Sequence, residues 1–415
     1  MASRSLYLEN NLAILQAIEF MKITVVCHEI PYPPIHGGRI DMWRRLKAFS
    51  HFGVDLQLIC WWYDTPPTHE EIAEINKYVK QLCIVPIKRT LGDRVRRIVD
   101  LLYYPLEVTS RIIRGKQLNS LLYDVRAFNP DVILLDGIHG GEIATALSKR
   151  LNVPLFTRSH NIEHLYYRRM LASARGLKNK IKRFLSVINL EKYEKNLLKN
   201  STLFYDISAD DLKFWQSQGY SNGRWLPPLV EFPEYSTTPK YPIYDLVFLG
   251  NLSLENNAAG VVWFLNDVIP IIRANLPKIR VLIAGLNPGK EIKQLCEEVE
   301  GVDLSINPVS AVEIYQSGRV LINPVLKGSG VKIKSIEMLI YGKPLVSTPE
   351  GVSGLPEEVR QYFKIAADAQ SFAAEVIKAL SNSVTTNADR ELLESMFGYK
   401  VIEGVVSDIK ALKGL

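Results

Sequence analysis

The residues best suited to chemistry lie in the stretch Asn323-Pro324-Val325-Leu326-Lys327-Gly328-Ser329-Gly330-Val331-Lys332-Ile333-Lys334-Ser335-Ile336-Glu337. Its pattern is a strand, a glycine-bearing loop and a helix over 331–341, followed by Gly342-Lys343-Pro344 turning into another strand. Gly328 and Gly330 let the amides of Ser329 to Val331 converge, and a helix start adds partial positive charge, so the loop can cradle an anion. Lys332 and Lys334 fall in the expected first turn, where cations oppose the helix dipole. Two cations placed there make sense where a diphosphate binds. Glu337 follows Lys334 by three residues on nearly the same face. A carboxylate there can accept both hydroxyls of a ribose cis-diol. By pattern alone, a plain strand–helix turn with a solvated basic helix describes the stretch equally well.

Three places in the N-terminal half also follow strands. In Pro31-Tyr32-Pro33-Pro34-Ile35-His36-Gly37-Gly38-Arg39 the paired glycines open a helix, allow close approach and offer unpaired N–H groups. Arg39 suits a phosphate or acceptor contact, with a solvated helix-start arginine as the plainer alternative. Asp136 and His139 follow the expected strand Asp131–Leu135, and His160 and Asn161 follow Val153–Arg158. Both pairs therefore belong on the carboxyl edge of a sheet, where open α/β sheets bind ligands. Each histidine suits a donor or acceptor contact, against the alternative of a satisfied structural residue. His164 is expected on a helix surface.

The elements positioning these residues alternate in type. Strands are expected at Ile23–Cys27, Val54–Trp61, Leu82–Pro86, Asp131–Leu135, Val153–Arg158 and Thr202–Ile207, each a near-continuous apolar run, as strands covered on both faces are. Helical spacing fills the intervals. A proline-rich break at 226–242 separates this set from a second: Asp245–Leu249, helix Asn256–Asn275, Ile279–Ala284, helix Lys290–Val299, Val302–Ile306, Arg319–Pro324, helix Val331–Tyr341 and Pro344–Ser347. The expectation is α/β: two Rossmann-like doubly wound domains facing a central cleft. The domains are 21–225 and 243–396, joined by the 226–242 linker. Residues 1–20 are expected to be a loosely held extension, with the natural start at Met21. The segment 397–415 is expected to be a helix that crosses back to the N-terminal domain.

Composition narrows the class. The 415 residues are 47% hydrophobic and 23% charged, which excludes a disordered or low-complexity chain. No apolar run reaches the ~18 residues of a membrane-spanning helix. Cys27, Cys60, Cys83 and Cys296 are far apart, indicating neither a disulfide framework nor a zinc site. The expected location is cytoplasmic. Net charge is +6, yet 161–200 alone carries ten Lys/Arg against three Glu. That segment is either a solvated helical face or a docking surface for an anionic membrane or lipid diphosphate, since Leu165, Tyr166, Phe184, Leu185, Val187 and Ile188 interleave with the charges. No motif or aromatic platform suggests nucleic acid as a partner.

The Gly-Ser-Gly-x-Lys-x-Lys-x-x-Glu run, followed by Gly-x-Pro and Ser347-Thr348, resembles the donor-site signature of a subgroup of family-four retaining glycosyltransferases of GT-B fold. Phe248-Leu249-Gly250-Asn251-Leu252, Asn257, Trp263-Phe264-Leu265, Gly351 and Gly354-Leu355 extend the resemblance over about 110 residues. The resemblance implies that Glu337 binds the nucleotide ribose. It further implies that Lys332, Lys334 and the amides of Gly328, Ser329, Gly330 and Val331 hold the diphosphate of a nucleoside diphosphate sugar. Gly37 and Gly38 would approach the donor phosphates, Gly250 and Asn251 would line the same site, and His160, within a His-Asn-x-Glu element, would join the two lysines in catalysis. Two departures stand out: Ser329 replaces the broader family's Glu eight residues before the ribose-binding Glu, a change the subgroup shares, and Asn251 replaces a common Arg. The expected activity is hexosyl transfer to a glycan or lipid-linked acceptor with retention of anomeric configuration and no metal or other cofactor. The alternative is a non-catalytic or epimerase-type protein that binds a nucleotide sugar.

Overall fold

A computed structural model describes residues 21–414 except 63–64, 88–89, 234–241, 329 and 383–387. The expectation for 1–20, residues 234–241 of the expected linker and Ser329 thus lie outside the described residues. The chain divides into two compact units, one of Met1–Leu229 with Tyr399–Leu415 and the other of Val230–Gly398.

The first unit is built on seven strands: β1 Lys22–Cys27, β2 Asp55–Trp62, β3 Gln81–Pro86, β4 Val132–Asp136, β5 Leu155–Ser159, β6 Leu203–Asp206 and β7 Gly223–Trp225. Their order is β3-β2-β1-β4-β5-β6-β7 and every pairing is parallel. β4 and β5 are buried throughout, because helices cover both faces of a parallel sheet. One face packs Ile23, Val25, Leu56 and Leu58 against helix Gly37–His51, and the other packs Val26, Ile59, Ile133 and Leu135 against Ile143, Leu147 and Leu197. Helix Ile402–Lys413 completes the first core with Ile402, Val405, Val406 and Ile409, all at most 2% exposed. Burying four such side chains contributes about 1.5–3 kcal/mol each, enough to hold the chain's last helix on this unit. Gly398 interrupts the helix expected over 397–415, and Leu412 points outward.

The second unit holds β8 Tyr244–Asn251, β9 Val281–Leu286, β10 Val302–Ile306, β11 Gly318–Asn323, β12 Leu345–Ser347 and β13 Phe363–Ile365, in the parallel order β10-β9-β8-β11-β12-β13. The helical segment 255–275 passes through a π-helical turn at Phe264–Val268. Pro270 has no N–H to continue the regular ladder, and a wider turn absorbs the lost bond. In each unit the winding reverses between two neighbouring strands, β1 and β4 in the first, β8 and β11 in the second. The carboxyl ends of those strands are where a doubly wound sheet leaves a crevice.

Candidate active site

In the second unit, β8 ends at Gly250-Asn251 and β11 at Asn323, so both switch-point strands deliver their last residues to the glycine loop. Asn323 is fully buried and donates through Nδ2 to Ser335 Oγ (2.8 Å), while Ser335 Oγ donates to the Gly351 carbonyl (2.6 Å). This pins the start of the next helix to the sheet. That helix spans Ile333–Leu339, shorter than expected, with Lys332 as its N-cap at φ −86°, ψ 99°. Lys332 is therefore outside the helix and Lys334 inside its first turn, a correction to the placement of both in one turn. Gly330 sits at φ +65°, a backbone that favours glycine, and any Cβ on Gly328 would come within 3.2 Å of Asn256 Nδ2 and Lys332 Cε.

The two ammonium groups are held by different partners. Lys332 Nζ donates to the Gly330 carbonyl (2.9 Å) and pairs with Glu350 Oε1 (3.0 Å). Lys334 Nζ donates to Asn257 Oδ1 (2.6 Å) and lies 4.5 Å from the Phe248 ring centre. Asn257 in turn donates to the Asn251 carbonyl (2.8 Å), while the Asn251 side chain accepts from Ser253 N and Oγ. The side chain standing where the family commonly has Arg thus closes a local turn. Burial, and then the Lys332 charge, pull Lys334 down to about 7. Glu337 is half-buried on the same short helix and accepts from the Tyr315 hydroxyl (3.5 Å).

In the first unit β1 and β4 deliver a polar cluster. Asp136, the last residue of β4, is 1% exposed. Its Oδ1 accepts from His160 Nε2 (2.5 Å) and Arg158 Nη1 (3.2 Å), and Arg158 also pairs with Asp41 (2.5 Å). Asp41 lies on helix Gly37–His51 and pairs with Arg45 one turn on (3.2 Å), while Arg45 reaches the Pro227 carbonyl (3.1 Å). Burial works against the Asp136 charge, but Arg158 and then His160 hold its carboxyl below the ordinary range. Removing one member of such a buried ionic set leaves an uncompensated charge, at a cost of about 3–5 kcal/mol. Asp136 therefore sits behind His160 and fixes its ring through Nε2.

His139 stands in the 3₁₀ turn Ile138–Gly140, with its ring 4.9 Å from that of His28, which directly follows β1. Their buried Nδ1 atoms have no hydrogen-bond partner, and burial lowers both pKa values, so both rings are neutral near pH 7. Glu29 gathers His28 (3.4 Å), His36 (3.2 Å) and Arg39 (2.9 Å), so the Arg39 head group is an internal ion-pair partner. Gly37 and Gly38 open their helix as expected, but His36 Nδ1 already accepts from the Arg39 amide (3.4 Å). Beside Glu29 and Arg39 lies a hollow of about 310 Å³ walled by Tyr32, Pro33, Trp61, Trp62 and Glu71. Asn161 bonds Glu163 (3.3 Å). His28 and Glu29 escaped the sequence reading, although the strand-end rule that singled out His139 and His160 applies equally to them.

His164 is not on a surface: it is 3% exposed and its Nδ1 donates to Glu194 Oε2 (2.5 Å). The Glu194 carboxylate also accepts from the amides of Glu163 (2.8 Å) and His164 (3.1 Å), capping helix Glu163–Ala172. Burial, reinforced by the Glu194 charge, pushes the neighbouring Glu163 up to about 8. A carboxyl raised in the folded state stabilises below its unfolded pKa of ~4.3, and that stability is lost as pH rises through 8. Glu163→Gln should therefore melt higher than the parent above pH 8 and flatten the fall in melting temperature between pH 5 and 9, as read by scanning calorimetry. Parallel curves for the two proteins would contradict the assignment. Among the described residues, no group of His, Cys, Asp or Glu is placed to hold a metal ion.

Residues 244–382, which include the glycine loop, Lys332, Lys334 and Glu337, match the family described as "Glycosyl transferases group 1". A Klebsiella pneumoniae relative, "Uncharacterized 44.6 kDa protein in cps region", is 28% identical over 405 residues, covering 93% of this chain and 99% of its own. Among solved structures, Anabaena Alr3699/HepE in complex with UDP superposes with a TM-score of 0.64 at 11% identity, over 95% of this chain and all of that one. Sucrose-phosphate synthase from Thermosynechococcus elongatus gives 0.62 at 14% identity over 94% and 98%. The chain has the GT-B fold, and its second unit carries the segment that matches glycosyl transferases group 1.

Proposed function

We propose that this protein is a retaining glycosyltransferase that moves a sugar from a nucleoside diphosphate sugar to a hydroxyl of a glycan or lipid-linked acceptor. One observation carries the reading: at the β8/β11 switch point, two lysines and a glycine loop stand at the start of the helix that bears Glu337. The matched family, the neighbours solved with UDP and the relative in a "cps region" support it. Bond cleavage puts negative charge on the departing diphosphate, and preorganised cations and amides aimed at that charge are the largest available catalytic contribution. Lys332 and Lys334 supply the cations and the 328–331 backbone the amides. Glu337, oriented by Tyr315, takes the ribose hydroxyls. The acceptor hydroxyl attacks on the face the diphosphate leaves, and the leaving phosphate oxygen takes its proton. On the first unit, His160, steadied by Asp136, and the aromatic hollow near Tyr32 and Trp62 serve the acceptor.

Turnover of a panel of UDP- and other nucleoside diphosphate sugars, with the product anomer read by proton NMR, tests this. An α-donor giving an α-linked product is expected; an inverted product contradicts retention, and epimerised free sugar without acceptor contradicts transfer. The turn closed by Asn251, in place of the family's Arg, favours a second reading as a non-catalytic nucleotide-sugar binder. Binding without any donor hydrolysis would support it.

The lysine pair also sets a pH dependence. Burial and the Lys332 charge bring Lys334 down to about 7, so above that pH the tightest diphosphate binding takes up a proton. The phosphates of a sugar diester do not titrate in this range, so affinity for the intact donor should fall about fivefold from pH 7 to 9 and then level off. A flat calorimetric profile would show that Lys334 does not meet the phosphates.

A further inference from the structure

Nine of the eighteen exposed large hydrophobic side chains among the described residues lie on two short segments of the first unit. Helix Leu91–Asp100, closed at its start by a Thr90–Asp93 capping box, turns outward Leu91, Val95, Ile98 and Val99, and Leu102 and Tyr103 continue the stripe. Their spacing of four, three, one and three residues to Leu102 is that of one helical face. Helix Leu177–Val187 does the same with Leu177, Ile181 and Phe184, which are 52–76% exposed. Asn189 Nδ2 donates to the Leu101 carbonyl (2.9 Å), so the two helices are tied at their C-terminal ends, and both pack on the turn Leu106–Thr109 between them.

The cations follow the same segments. Helix Leu177–Val187 carries Lys178, Lys180, Lys182 and Arg183 and no acid, and Arg94 is exposed on the other helix. The apolar residues expected to dock within 161–200 behave differently: Leu165, Tyr166 and Val187 pack against the cores, and only Phe184 remains largely exposed. Lysine is depleted at the centre of protein–protein interfaces, whereas lysines flanking a helical apolar stripe suit the boundary of an anionic bilayer. No described helix is long and apolar enough to cross a membrane; at 10 and 11 residues these two can only lie in its plane.

We propose that helices Leu91–Asp100 and Leu177–Val187 together form a docking surface for an anionic lipid membrane. The surface is independent of the proposed nucleotide site. The test is co-sedimentation of the full chain with vesicles of phosphatidylcholine alone and of phosphatidylcholine mixed with phosphatidylglycerol, at low and high salt. Binding only to the mixed vesicles, weakened by salt, is expected. Ile181→Ser with Phe184→Ser, and separately Ile98→Ser with Leu102→Ser, should each lower partitioning at least tenfold. Lys180→Gln with Lys182→Gln, an exposed pair whose loss does not threaten folding, should lower it about thirtyfold. Melting curves matching the parent's certify the variants. Partitioning unchanged in the lysine variant, equal binding to phosphatidylcholine alone, or a dimer in light scattering that the serine variants dissociate would each overturn the proposal.

Discussion

Replacing Lys332 and Lys334 together by alanine should lower kcat by about a thousandfold while weakening donor affinity by no more than about tenfold. The difference follows from what the two ammonium groups already do. Each has a partner in the unliganded protein: Glu350 and the Gly330 carbonyl for Lys332, Asn257 for Lys334. Ground-state binding exchanges these contacts for phosphate contacts, so the net gain is modest. As the glycosidic bond breaks, the bridging oxygen acquires charge that those partners cannot meet, and the cations gain most there. The Asn323–Ser335–Gly351 bonds fix the start of the short helix that carries Lys334, so its backbone needs no reorganisation at the moment of reaction. Steady-state kinetics with saturating donor read this directly. Equal losses in kcat/KM and in donor affinity would show uniform binding instead of transition-state stabilisation. The single Lys334→Met variant should fold at least as well as the parent at pH 7. A lysine whose folded pKa is lowered opposes folding most below that pKa, and the opposition fades as pH rises towards its unfolded value of ~10.4.

Glu337→Ala should weaken nucleoside diphosphate binding about a hundredfold, because two hydrogen bonds from ribose hydroxyls to a carboxylate contribute about 1.5 kcal/mol or more each. The effect should depend on the pentose. Calorimetry with UDP should show the full loss, and inorganic pyrophosphate, which lacks the sugar, should bind parent and variant alike. Glu337 contributes to a helix of only seven residues and to no core cluster, so the variant should melt close to the parent. An equal loss for pyrophosphate would mean that the carboxylate acts through the lysines rather than on ribose. Unchanged UDP affinity would remove Glu337 from the site altogether.

Much of the second unit's site was legible because it is local. The glycines, Lys332, Lys334 and Glu337 occupy ten consecutive residues, and their relation depends only on a turn followed by a helix. What could not be read was the cap: Lys332 precedes the helix with its side chain turned to Glu350, a partner eighteen residues away. The long buried strands of both sheets were also legible, because burial on two faces leaves uninterrupted apolar runs, and their ends fell within two residues of expectation. β7 and β13 were not, since three-residue edge strands such as Gly223–Trp225 and Phe363–Ile365 carry too few positions for a pattern. The first unit's cluster hid for a different reason. Asp41, Asp136, Arg158 and His160 come from three segments, and their partnership arises only from sheet order, which places β4 between β1 and β5. His164 and the 161–200 charges show the same limit. Helical spacing told which residues share a face, but not that Glu194 would bury one face while Ile181 and Phe184 stayed outside.

A crystal structure of the chain grown with UDP would show where the nucleotide binds. Pyrophosphate oxygens are expected within hydrogen-bond reach of Lys332 Nζ, Lys334 Nζ and the amides of residues 328–331, with both ribose hydroxyls on the Glu337 carboxylate. Nucleotide seated elsewhere, or a Glu337 still turned from the ribose with Lys334 bonded only to Asn257, would contradict it.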